Sequence, residues 1–197
     1  CALAGDGADE LFGSYLAHRL ADPIARFLAD PHRADTTAQV ARIAHADQAQ
    51  WRMALAVFSE AEKHQWLVDC GADTTAFYAA ALSGATAQDP LNAALELDQL
   101  TLLPDQVLPF VDRLSMAHGL EMRAPFLDHR LVAWANSLPG SMKIRQNRVK
   151  HILKQAVSGL LPMELVDRPK EGFVQPVYTW MRGPLRTWLE DLLDQDR

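Results

Sequence analysis

The stretch Ala2-Leu3-Ala4-Gly5-Asp6-Gly7-Ala8-Asp9-Glu10-Leu11-Phe12-Gly13 decides the reading of this chain. A short apolar run, two glycines around a carboxylate, two adjacent acids and an apolar periodic segment spell strand, tight turn and helix start. Glycines let the backbone turn sharply and approach a ligand closely, and free N–H groups at a helix start can hold an anion. Asp6 and Asp9 then fall at the carboxyl end of a strand, where open α/β sheets bind ligands. Carboxylates beside a phosphate are explained by a shared Mg²⁺, which takes one or two protein acids plus phosphate oxygens. The same residues also fit a plain Gly-Asp turn that ends in an Asp cap, so the rest of the chain has to decide.

The bulk properties narrow the field. A chain of 197 residues with 49% hydrophobic and 22% charged residues can bury a substantial core. No apolar run approaches the length of a membrane span, and no basic segment leads into an apolar one at the start, which implies a cytoplasmic protein without a membrane partner. A net charge of -6 leaves no footprint for nonspecific nucleic-acid binding. Cys1 and Cys70 make neither a disulfide framework nor a zinc pattern, and the seven histidines are scattered. The chain lacks an initiator Met and opens inside a strand with no evident partner nearby, so it is expected to be the C-terminal piece of a longer protein.

Downstream the pattern is helical. Apolar residues at helical spacing run from Ala8 to about Leu28, and Pro23 predicts a break into two helices. Thr36 or Thr37 is a candidate cap for a further helix. Ser59 and Glu62 form a capping-box pattern before Trp66, with Gly71 as a stop. A short helix is expected over about 73–83, and Asp89-Pro90 opens another that runs to about Leu103. Nothing from 14 to 100 suggests chemistry, and its Trp, Phe and Leu residues read as core.

Charged residues return among apolar ones from Leu103-Pro104-Asp105 onward. Asp112, Arg113, Glu121, Arg123 and Asp128 alternate in sign, as a buried ion-pair lattice would require, because buried charges are costly unless paired. Pro125 imposes an extended crossing, and a helix is expected from Asp128 to about Ser137. Lys143, Arg145, Arg148, Lys150 and Lys154 make a basic cluster, of which a solvated face is the plain reading. In Arg168-Pro169-Lys170-Glu171-Gly172-Phe173, Pro and Gly bracket the lysine in a shaped loop, suited to a point charge that neutralises phosphate. One or two amphipathic helices with Trp180, Leu185, Trp188 and Leu192 end the chain.

Taken together and in order, these motifs resemble the synthetase domain of glutamine-hydrolysing asparagine synthetases, which are class II amidotransferases. The carriers are Gly5 to Gly13, Leu103-Pro104-Asp105, Asp112-Arg113-x-Ser115-Met116-Ala117, Glu121-x-Arg123-x-Pro125-Phe126-Leu127-Asp128, Lys150-x-x-Leu153-Lys154 and Arg168-Pro169-Lys170-x-Gly172-Phe173. The resemblance covers residues 1–197. It implies a mostly α chain, the helical C-terminal portion of an α/β synthetase domain of the PP-loop ATP pyrophosphatase, adenine-nucleotide α-hydrolase-like type. It further implies a ligase of asparagine biosynthesis that uses ATP and Mg²⁺ to adenylate aspartate. Ammonia, released from glutamine by an N-terminal glutaminase domain, then displaces AMP to give asparagine, and a homodimer is the assembly the resemblance allows for the full-length protein. That domain and the Ser-Gly-Gly-x-Asp-Ser pyrophosphate loop lie outside these residues, so the fragment alone is expected to be inactive. Cys1 sits in a strand context unlike the Cys-Gly start of the glutaminase nucleophile.

By the same resemblance Asp9 holds the metal, and Lys150 and Lys170 meet pyrophosphate, Lys170 acting in the transition state. Gly5 and Gly7 shape the nucleotide turn. Asp6, where the synthetases usually carry Glu, pairs with Asp105 to handle the amine nucleophile and its proton. The chemistry agrees: cations and a metal aimed at a pyrophosphate leaving group lower the barrier, and attack by ammonia needs somewhere for a proton to go. Two alternatives remain. One is a related enzyme that activates another carboxylate, closing a β-lactam or peptide ring; the other is a noncatalytic helical interaction module.

Overall fold

Side-chain caps that the sequence spells out set four of the helix starts. The computed structural model describes residues 1–29, 48–69, 71, 73–87, 89–168 and 176–194. Asp73 accepts from Thr75 N at 2.7 Å and opens Thr74–Ser83. Asp89 accepts from Asn92 N at 2.8 Å and opens Pro90–Leu100, with Pro90 at the first turn where its missing N–H costs nothing. Asp128 accepts from Arg130 N at 2.9 Å and opens His129–Ser137. Ser59 and Glu62 form the full capping box of Glu60–Trp66. That helix stops at Trp66, ahead of Gly71. The Thr36 and Thr37 cap lies outside the described residues.

The chain divides into two units, residues 1–166 and 167–197. In chain order the first holds β1 (Ala2–Leu3), α1 (Ala8–Phe12), α2 (Leu16–Ala29), α3 (Gln48–Met53), α4 (Glu60–Trp66), α5 (Thr74–Ser83) and α6 (Pro90–Leu100). A π-helical turn Leu103–Val107, α7 (Leu108–Met116), β2 (Met122–Arg123) and a 3₁₀ turn Pro125–Leu127 follow. The unit ends with α8 (His129–Ser137), α9 (Gly140–Lys143), α10 (His151–Val157) and α11 (Met163–Val166). The second unit contains α12 (Val177–Arg182) and α13 (Arg186–Leu193), two helices where the sequence predicts one or two. Among the described residues no helix is long and apolar enough to cross a membrane.

The described residues are therefore mostly helical, as expected, and the first correction concerns the opening strand. The opening strand does have a partner: β1 pairs in parallel with β2, Ala2 opposite Met122 and Leu3 opposite Arg123. Ala2 N donates to Glu121 O and Ala4 N to Arg123 O, both at 2.8 Å. This pairing fixes where the glycine turn emerges, beside Arg123 and Ala124.

A second correction concerns the first helices, because the break falls at Gly13 and not at Pro23. Gly13 has φ 79 and ψ 125, outside any helix. Pro23 lies within α2, where a proline normally breaks the helix. Burial outweighs that cost: Ala17 and Ile24 of α2 pack with Trp51 in one core cluster. A second cluster joins Leu11, Phe12 and Ala135, with Phe126 edge-on to Phe12 at 6.3 Å between ring centroids. Fully burying Leu11 and Phe12 contributes about 1.5–3 kcal/mol each, which seats the five-residue α1 against α8.

Polar groups also hold the interior together. His18 Nε2 meets Asp98 Oδ2 at 2.8 Å, Arg52 pairs with the other oxygen of Asp98, and Ser14 N donates to His18 Nδ1 at 3.2 Å. With Nδ1 accepting, the proton sits on Nε2 and points at the carboxylate. His18 and Asp98 have no exposed side-chain surface, so their pairing joins α2, α3 and α6 without leaving a buried charge unmatched. The region read as free of chemistry thus contains a buried ion network. Its Trp, Phe and Leu residues are only partly core: Trp51 is 3% exposed, but Trp66 is 62% exposed.

The expected buried lattice is also corrected. Asp112, Arg113, Glu121 and Arg123 are exposed, and the ion pairs are local: Glu121 with Arg123 at 2.6 Å and Asp128 with Arg130 at 2.8 Å. These charges stay hydrated at the surface, so none needs a buried partner. The Arg130 guanidinium holds the Asp128 carboxyl well below the usual carboxylate range.

Candidate functional site

Everything at the site hangs on the turn that follows β1. Gly7 has φ 87 and precedes α1, and a Cβ there would collide with the Leu127 side chain. A side chain at this position would therefore be excluded twice, by backbone conformation and by Leu127. Gly5 is different: a Cβ there would meet nothing within 4 Å, so neither crowding nor a positive φ demands glycine.

Asp9 stands in the first turn of α1, and its carboxylate pairs with Lys150 Nζ. Their side chains are 20% and 26% exposed, so the pair is part-buried and still open to solvent. Lys150 is placed by its own backbone. It caps α10 in the left-handed region at φ 52, and its N–H donates to Gly13 O at 3.2 Å.

Asp6 faces the other side of the turn. It lines a cleft of about 490 Å³ together with Pro104, Leu108, Asp112, Arg113 and Arg123. Asp105 lies on the adjacent π-helical turn, where Leu108 N donates to Leu103 O, a geometry often found at functional sites. Asp105 is exposed and does not itself line the cleft. Lys170 lies outside the described residues. Of the expected site, then, Asp9 and Lys150 meet directly, Asp6 and Pro104 line one cleft that Asp105, the expected partner of Asp6, does not line, and Gly7 is sterically required.

Next to these residues is an apolar-sheltered pair that sequence reading missed. Tyr15 donates to Glu10 Oε1 at 2.7 Å, and burial, then the Glu10 hydrogen bond, push the Tyr15 hydroxyl far above its ordinary pKa. Glu10 is itself 1% exposed. The adjacent acids Asp9 and Glu10 thus divide the work, one facing out to Lys150 and one tying α1 inward. The i, i+5 spacing of Glu10 and Tyr15 across Gly13 carries no periodic signal that would have revealed the contact.

Among the described residues no group of three or more His, Cys, Asp or Glu side chains is placed to hold a metal. The donor set fits a hard cation shared between the Asp9 carboxylate and ligand phosphates, and does not fit an all-protein cage.

A parallel strand that runs into a glycine turn and a short helix, with an acid and a lysine meeting beside it, is the arrangement by which α/β proteins bind ligands at strand ends. The chain belongs to the asparagine synthase family, whose model matches residues 1–197. It is 31% identical to a putative asparagine synthetase [glutamine-hydrolyzing] of Mycobacterium bovis, over 94% of this chain and 31% of that protein. It is 26% identical to asparagine synthetase [glutamine-hydrolyzing] 1 of Bacillus subtilis, over 100% of this chain and 34% of that protein. Over 53% of this chain and 16% of the relative it is 33% identical to amidase chry2 of Gibberella zeae. The chain spans about a third of the length of the synthetases it matches. No solved structure matches it.

Proposed function

We propose that this chain is the C-terminal part of the synthetase domain of a glutamine-dependent asparagine synthetase, a ligase that adenylates aspartate with ATP and aminates it with glutamine-derived ammonia. The observation that carries the reading is the meeting of Asp9 and Lys150 beside the Gly5-Asp6-Gly7 turn, in a chain matched by the asparagine synthase model throughout.

In this reading Gly5 and Gly7 let the backbone approach the nucleotide, and Lys150 and Lys170 bind the pyrophosphate portion of ATP. As the aspartate carboxylate attacks the α-phosphorus, the bond to pyrophosphate breaks, and the two ammonium groups balance the charge that collects on it. Asp9 would hold Mg²⁺, which supplies further neutralisation of phosphate charge. Asp6, with Asp105 on the adjacent turn, accepts a proton as ammonia displaces AMP. The shorter Asp6 side chain, where the synthetases usually have Glu, and the similarity to amidase chry2 favour a second reading in which another carboxylate is activated.

Pyrophosphate release by the full-length protein, with ATP, Mg²⁺ and a panel of carboxylic acids, tests both. Release with aspartate alone supports the first reading, and release with a different acid transfers the assignment to the second. No release with any acid leaves a noncatalytic module. Lys170→Ala is expected to abolish pyrophosphate release while leaving glutamine hydrolysis intact; undiminished release would remove Lys170 from the site.

A further inference from the structure

Gly13 belongs to the quoted motif, yet none of the roles above uses it. Its geometry is demanding. At φ 79 and ψ 125 it occupies a region open to glycine and closed to other L residues. A Cβ there would lie 2.8 Å from Ile144 Cδ1 and 3.0 Å from Ile144 Cγ1.

Three contacts close a loop around it. Gly13 N donates to Asp9 O at 2.9 Å, and Lys150 N donates to Gly13 O at 3.2 Å. The Lys150 ammonium then returns to the Asp9 carboxylate. The connection that delivers Lys150 is tightly wound: Arg148 N donates to Arg145 O at 2.8 Å and Arg145 N to Arg148 O at 3.2 Å. The described non-glycine residues with positive φ are Gln146, Asn147 and Lys150, and all lie on that connection. Gly13 meets both of its ends, Ile144 filling the space a Cβ would need and Lys150 bonded to its carbonyl.

We propose that Gly13 is a positioning residue for Lys150: it lets the connection from Ile144 to Lys150 close onto α1, and so aims the lysine at the phosphate side of the turn. This rests on the reading that Lys150 binds ATP phosphates. A β-carbon at residue 13 would push Ile144 away and rotate the carbonyl that anchors Lys150, so the lysine would lose its direction while keeping its charge.

The test is a double-mutant cycle in the full-length protein, read as the KM for ATP in pyrophosphate release with Mg²⁺ and the most active acid of the panel. Gly13→Ala is expected to raise that KM about tenfold, with a smaller fall in kcat. Lys150→Ala raises it further, and Gly13→Ala adds less than about twofold in the Lys150→Ala background. A full tenfold addition in that background, as a merely structural glycine would give, overturns the proposal. So does a wild-type KM in Gly13→Ala. If Lys150→Ala leaves both KM and kcat unchanged, the phosphate role of Lys150 fails and the positioning role falls with it. Should Gly13→Ala not fold, Ile144→Val replaces it, since it removes the Cδ1 atom that abuts Gly13. It is expected to raise KM about twofold, and only when Lys150 is present; an equal effect in both backgrounds overturns the proposal.

Discussion

Lys143 and Lys150 come from one basic run of sequence and read alike until the chain folds. Lys150 ends up a quarter exposed and paired with Asp9. Lys143 is 0% exposed, and its ammonium has no hydrogen-bond partner among the described residues. Burial pushes the Lys143 pKa down to about 8, against a weaker opposing pull from Asp89. A solvated basic face therefore describes neither lysine. One charge is part-exposed and paired with Asp9, whereas the other is a liability of the interior, retained where α9 packs against α6. Composition alone cannot separate these two fates, because the separation is made by which helix end each lysine occupies.

The sharpest way to break this contrast is to remove each lysine and measure both activity and stability. Lys150→Ala in the full-length protein is expected to lower pyrophosphate release at least about 100-fold, comparable to losing a charged transition-state contact, and to change folding stability by less than about 1 kcal/mol, since a part-exposed pair contributes little. A stability loss of several kcal/mol with modest loss of activity would make Lys150 a structural residue and erase the difference.

Lys143 should show the opposite behaviour. Its folded pKa of about 8 lies below the ordinary 10.5, so between those values the unfolded chain binds more protons than the folded one. Stability must then rise with pH across that window, by about 3 kcal/mol in all. Lys143→Met keeps the volume and removes the charge; it is expected to stabilise the protein by a similar amount at pH 7 and to abolish this part of the slope. Chemical denaturation of both proteins at pH 7, 8, 9 and 10 measures it, and parallel pH profiles would show that Lys143 has a partner after all.

How much of this was legible beforehand follows from the range of the interactions involved. Asp89-Pro90, Asp128 and the Ser59-Glu62 box were readable because a cap and its helix are neighbours in sequence. The glycine turn was readable for the same reason, and Gly7 is indeed excluded from carrying a side chain. What escaped was set at long range. The strand Met122–Arg123 is too short to show any alternation and is specified by its partner Ala2–Leu3. The His18 to Asp98 pair joins residues 80 positions apart. Pro23 stays helical because of Trp51 and the core around it. In the site, Asp9 and Lys150 meet across 141 positions of sequence, a contact that no local pattern in either motif announces. The exposure of Asp105 outside the Asp6 cleft is a property of the π-helical turn, which no pattern in Leu103-Pro104-Asp105 announces.

The smallest effect probes the connection that keeps the two lysines apart in character. Gln146, between them, has φ 49, and a non-glycine residue in this region costs about 1–2 kcal/mol relative to glycine. Replacing it by Gly relieves that strain but adds about 0.5–1 kcal/mol of unfolded-state entropy. Gln146→Gly is thus expected to stabilise the protein by no more than about 1 kcal/mol and to leave the KM for ATP unchanged, because the turn from Arg145 to Arg148 is closed by backbone bonds that need no side chain. Equilibrium denaturation and the pyrophosphate assay check the two halves. A raised KM without loss of stability would mean that the Gln146 side chain itself helps to direct Lys150, and that Gly13 does not hold the connection alone.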